Sequence, residues 1–258
     1  MRIIPASTPA IGMPAKARRW ASGVTSLDAA LGGGLSYGGV HEIYAAQVSD
    51  AAAITGFAVI AATGMAEERR HILWLRSRRC LSQGGILQAN GWAELGGEPG
   101  NGLLAIVPDT ITLLRAATDA LRSGALGAVV AEDWGQMRDL DLTASRRMAL
   151  AAEKSGVPLF LLRIDAAPVA SAAQTRWQVA AAPSQALPGN APGQPTFDLE
   201  LLRQRSGPSG LSWRLEWNRD QRKFREQTLS GIVAAVPASK PAADAGTGQV
   251  HPHTRFAA

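Results

Sequence analysis

The sequence predicts an α/β layered fold: a mostly parallel sheet flanked by helices, a C-terminal β-hairpin at the sheet edge, and disordered termini. Three observations carry this. Short, nearly unbroken apolar runs alternate with segments of helical period, as in strands covered on both faces by helices. Two of those segments open near an aspartate, the first of them suited to capping, and both stop at glycine. One late run alternates strictly between apolar and polar residues, the pattern of a strand with one wet face.

Residues 1 to 20 form a basic arm broken by Pro5, Pro9 and Pro14, without the apolar core of a signal peptide, so they predict a flexible segment and no secretion. LDAALGG (27 to 33) reads as a short helix closed by glycines, and GVHEIYA (39 to 45) as the first strand. AAAITGFAVIAATGMA (51 to 66) is shorter than the roughly 18 residues of a membrane span and predicts a buried helix. HILWLRS (71 to 77), LLAIVP (103 to 108), GAVVAED (127 to 133) and VPLFLLRI (157 to 164) are further strands. A helix from Asp109 carries Ile111, Leu114, Thr118 and Leu121 at helical spacing to Gly124; another runs from about Asp141 to Ser155 and ends at Gly156. Strand and helix alternating in this way imply right-handed parallel crossovers. APSQALPGNAPGQP (182 to 195), with four prolines, predicts an exposed loop. FDLELLRQR (197 to 205) and LSWRLEWNR (211 to 219) form the hairpin, with Leu211, Trp213, Leu215 and Trp217 on one face. The division is an arm (1–20), a core (21–226) and an Ala, Pro and Gly-rich tail (227–258) expected to be disordered.

The 26 Lys and Arg against 21 Asp and Glu leave a net charge of +5, which favours a polyanionic partner. Lys16, Lys154, Lys223 and Lys240 are the whole lysine complement, so the positive charge is nearly all guanidinium. A lone Cys80 excludes an internal disulfide framework, and His41, His71, His251 and His253 lack metal-ligand spacing. A reducing cytoplasm and no metal are expected. The string GLSYG (34 to 38) has the form of a hydrolase nucleophile turn, but that turn leads from strand to helix. Here the order is helix then strand, so Ser36 is not expected to be a nucleophile.

SGVTSLDAALGGGLSYGGVHEIYA (22 to 45) resembles the entry to a RecA-like core, in which the strand runs into the phosphate loop GxxxxGK[ST]. Carried over by position, that loop's first glycine is Ala45, its second Asp50, its lysine Ala51 and its magnesium-binding hydroxyl residue Ala52. None of the four lysines follows a glycine, so no displaced copy exists. Asp50 adds a carboxylate where phosphate would sit. The resemblance also implies an acidic residue at the second nucleotide strand, where Glu132 and Asp133 fall, and a catalytic glutamate after HILWLRS, where Arg76, Arg78 and Arg79 stand instead. With the loop gone, Glu132 and Asp133 are expected to be an exposed strand end. No cofactor, no metal and no catalytic residue are expected.

A degenerate loop on such a core, then TRWQVAAAPS (175 to 184), LELLRQRSG and the Trp-rich LSWRLEWNR, resembles the ImuA family over roughly residues 20 to 226. The resemblance implies an accessory factor of SOS-induced mutagenesis and translesion synthesis. Its implied partners are RecA, a Y-family-like polymerase subunit called ImuB and, indirectly, an error-prone DnaE-type polymerase; no membrane is expected. Two other readings stay open: a RecA-like cell-division inhibitor of the SOS response, and a weak ATPase with an altered loop. Trp177, Trp213 and Trp217 either pack the hairpin onto the sheet or stack on single-stranded DNA beside nearby arginines. The residues expected to touch partner or DNA are Arg203, Arg205, Arg214, Arg219, Arg222, Lys223 and Arg225.

Overall fold

The structure is a computed structural model, and it describes residues 18–66 and 71–227. In chain order the elements are β1 (Arg19–Trp20), α1 (Thr25–Ala30), β2 (Leu35–Ser36), β3 (Val40–Ala45), α2 (Ala51–Met65), β4 (Ile72–Ser77), α3 (Arg78–Gly84), α4 (Ala89–Glu94), β5 (Gly102–Val107), α5 (Thr110–Ser123), β6 (Ala128–Trp134), α6 (Leu142–Ser155), β7 (Leu159–Ile164), β8 (Thr175–Ala181), β9 (Thr196–Gln204), β10 (Leu211–Asn218) and β11 (Lys223–Glu226). A nine-stranded sheet has the order β11-β10-β9-β8-β3-β7-β6-β4-β5. From β5 to β8 each neighbouring pair is parallel, and from β8 to β11 each is antiparallel.

Each parallel strand arises where the sequence is apolar on both faces, because helices cover both sides. On one face α2 packs with α1 and Trp92 of α4 against Ile43, Trp74, Val130, Phe160 and Trp177; on the other α5 and α6 cover Leu75, Val129, Leu159 and Leu161. With its leading turn, α2 (Val48–Met65) is long and apolar enough to cross a membrane by length and composition, yet Ile54, Phe57, Ile60 and Met65 are buried in this core. Helices α5 and α6 are capped as their sequence requires. Asp109 and Asp141 accept from the N–H groups of Thr112 and Ala144, and Gly124 and Gly156 close the helices at φ of 64° and 75°.

Several expectations need correction. On α5, Leu114 and Leu121 are buried as expected and are joined by Leu113 and Ala117, while Ile111 is exposed and Thr118 only partly buried. Residues 175 to 181, read only through the family resemblance, are strand β8, which lies beside β3 and joins the parallel and antiparallel halves. The hairpin of β9 and β10 is not at the edge, since β11 pairs with β10 along Leu215 to Asn218. Order also begins before residue 21: Arg19 and Trp20 pair with Ser36 and Leu35. The expected tail, and the arm up to residue 17, lie outside the described residues.

Candidate functional site

The carboxyl ends of the central strands are where an open α/β sheet places its ligand. There β3 ends at Ala45, a turn at Val48–Asp50 follows, and Ala51 and Ala52 start α2. The carboxylate of Asp50 accepts the N–H of Gln47 at 3.0 Å and the N–H of Ala181 on β8 at 2.9 Å. A helix N-terminus favours an anion through its free N–H groups and dipole. Here the chain supplies that anion itself, buried and tied to the neighbouring strand.

The expectation for the acidic pair is overturned. Glu132 and Asp133 are 1% exposed, not a solvated strand end. Glu132 takes two hydrogen bonds from Arg76, Nε at 2.9 Å and Nη2 at 2.8 Å, and one from Trp74 Nε1 at 2.8 Å. Asp133 accepts from Ser77 Oγ and Thr110 Oγ1, both at 2.6 Å, and from the Trp134 N–H. A buried carboxylate needs such partners, since breaking a buried pair costs roughly 3–5 kcal/mol. Burial, then the Glu132 charge, pushes the Cys80 thiol up to about 12, so at neutral pH it is protonated; it donates weakly to the Glu132 carbonyl. Of the arginines read in place of a catalytic base, Arg76 is therefore this ion pair, Arg79 donates to the Trp134 carbonyl, and Arg78 is exposed. Among the described residues, no group of three or more His, Cys, Asp or Glu is placed to hold a metal ion.

Over this ion pair lies a groove of about 260 Å³ between the first turns of α2 and the α3–α4 segment, its walls largely apolar: Val59, Ile86, Leu87, Trp92, Leu95 and Trp134. A more polar cavity of about 470 Å³ sits at the opposite end of the strands, against Gly38, Gly39, Gly156 and Arg205. Near it Ser36 lies in β2, and its carbonyl accepts a bond from His41 Nε2, so GLSYG is no nucleophile turn.

The C-terminal cations do not form one cluster. Arg203 and Arg205 donate to the carbonyls of Ser171 and Ala172 at one end of the sheet. Arg214 is a bidentate partner of Asp198 at 2.7 Å on the helix-free face. Arg219 and Arg222 lie in the turn before β11 at the opposite end, Arg219 3.9 Å from Glu94 and Arg222 against Gly96; exposed Lys223 and Arg225 follow on β11. The eight residues of β10 separate the two ends by roughly 25 Å. Of the two readings of the tryptophans, the structure supports packing. Trp177, Trp213 and Trp217 are 1%, 6% and 5% exposed, and Trp177 packs on Trp213 with centroids 6.1 Å apart. Sequence reasoning missed Arg163, a fully buried guanidinium beside the Tyr44 ring whose Nε and Nη2 have no protein partner, because it sits inside the apolar run of β7.

No family model matches the chain. The structure resembles that of the RadB recombinase with a TM-score of 0.51 at 15% identity, covering 80% of this chain and 98% of that one, which shows a RecA-like fold. Two curated relatives, each called Protein ImuA and from Caulobacter vibrioides strains NA1000 / CB15N and ATCC 19089 / CIP 103742 / CB 15, are 32% identical over 200 residues, 72% of this chain and 77% of theirs. At that identity and span, on a RecA-like core, this chain belongs to the ImuA family.

Proposed function

We propose that the protein is a non-enzymatic accessory factor of SOS-induced translesion DNA synthesis and mutagenesis, acting in the cytoplasm by binding RecA and a Y-family-like ImuB polymerase subunit, and through the latter an error-prone DnaE-type polymerase. One observation carries the non-enzymatic part: the charged groups at the nucleotide end of the core are already partnered within the chain. Asp50 occupies the start of α2, and the Arg76 guanidinium neutralises Glu132 where a metal-bound nucleotide would need free carboxylate. An incoming phosphate meets the Asp50 carboxylate, and like charges in contact repel by about 1 kcal/mol even in water. Family membership supports the partners.

Calorimetry with ATP and Mg²⁺ is expected to give no heat of binding; micromolar affinity would overturn the non-enzymatic reading. Co-purification with the ImuB subunit and with RecA tests the accessory role, and the absence of both complexes would refute it.

A further inference from the structure

The groove above the Arg76–Glu132 pair is not a remnant of a nucleotide site in its chemistry. Its walls carry Ile86, which is 69% exposed, with Leu87, Leu95, Val59 and the largely buried Trp92 and Trp134. An isoleucine so exposed beside other apolar surface marks a contact surface more than a folding element. The volume, about 260 Å³, is below the usual range for small-molecule sites and suits one or two large side chains. Small residues keep it open: Ala52 and Gly56 are one turn apart on α2, and Gly84 and Gly91 face them from the other wall.

Exposed arginines lie just outside both ends of this lining, with the carboxylate of Glu94 beside the Leu95 end. At the Trp134 end stands the exposed Arg79, with exposed Arg78 beside it in α3. At the Leu95 end the side chain of Arg222 lies against Gly96, and Arg219 makes only a loose 3.9 Å contact with Glu94. Apolar walls between guanidinia complement a segment that carries a large apolar residue flanked by carboxylates. A nucleobase fits less well, because Trp92 and Trp134 are 6% and 9% exposed and offer no open ring face for stacking.

We propose that this groove docks an acidic segment of a protein partner, seating one or two of its apolar side chains against Val59, Ile86, Leu87 and Leu95, with its carboxylates on Arg79 and Arg222. The proposal deepens the accessory-factor reading and rests on it for the existence of a protein partner. It places the contact at the vacated nucleotide end.

Fluorescence anisotropy with the full chain and three labelled probes tests it: an Asp/Glu-rich dodecapeptide with a central Leu-Phe pair, the same peptide with Ser-Ser, and a dodecameric oligothymidylate. The Leu-Phe peptide is expected to bind saturably, and the Ser-Ser peptide at least about tenfold more weakly. Ala52→Trp, at an exposed position of α2, fills the groove and should cost about tenfold or more, as should the exposed Ile86→Asp. Arg222→Glu should weaken binding and flatten its dependence on salt. Circular dichroism of each variant separates lost docking from lost folding. Equal binding of the two peptides, unchanged binding to folded Ala52→Trp and Ile86→Asp, no saturation below millimolar peptide, or preference for the oligothymidylate would each overturn the proposal. A chain that binds the peptide but neither RecA nor the polymerase subunit would sink the accessory-factor reading and leave the groove's chemistry standing.

Discussion

His41 shows how one side chain records its surroundings. It is fully buried, its Nε2–H donates to the Ser36 carbonyl at 3.0 Å, and its Nδ1 accepts from Thr175 Oγ1 at 2.8 Å, while Thr175 accepts in turn from Trp177 Nε1. Burial lowers its pKa from 6.5 to about 4, against the opposing pull of the Ser36 bond. Between those values the unfolded chain holds a proton that the folded chain refuses, so stability falls as pH falls through that window, by on the order of 3 kcal/mol at its lower end. Urea unfolding at pH values across it should show a steeper acid loss in the parent than in His41→Gln; parallel curves would count against a neutral buried imidazole. Legibility at this scale was uneven. Asp50 was recognisable in sequence because it stands at a fixed offset from a strand. The burial of Glu132 was not, because its partner Arg76 lies 56 residues away and only the β4–β6 pairing brings them together.

At the scale of elements, the parallel strands were readable from apolar runs that need two covered faces. β8 was not, since Thr175, Trp177 and Val179 alternate with Arg176 and Gln178, and a run with one wet face says nothing of its place beside the central strand. β11 was hidden for a similar reason: Lys223, Arg225 and Glu226 surround a single apolar residue, Phe224. That residue is 3% exposed and meets Trp217, Phe57 and Phe197 at ring-centroid distances of 4.9, 6.0 and 6.3 Å. Phe224→Ala should therefore cost about 3–5 kcal/mol. A chain ending after Gln227 should unfold at the parent's urea midpoint, whereas one ending after Asn218 should lose several kcal/mol. Equal midpoints for the two truncations would show that β11 contributes nothing to the core. The charged outer strand also blunts this edge of the sheet, unlike β5, whose Leu103, Leu104 and Ile106 are 45%, 48% and 40% exposed.

For the whole molecule, the C-terminal cations among the described residues are dispersed and partly paired, which the linear sequence conceals. With Arg214 held by Asp198, and Arg203 and Arg205 at the other end of the sheet from Arg219, Arg222, Lys223 and Arg225, a single strand of DNA meets about four of these cations at once. The slope of log affinity against log salt on single strands should then be no steeper than about −3, and one near −4 in a salt titration would restore a continuous basic surface. The strand order has a further consequence, in time. β3 lies between β7 and β8, so the strand made first among the parallel set acquires its two neighbours only when residues 159 to 164 and 175 to 181 exist. At ordinary rates of chain elongation that delay is on the order of ten seconds. Throughout it the nascent chain carries VHEIYA and the apolar α2 segment without their sheet, so the yield of folded protein depends on what shields that stretch as it leaves the ribosome.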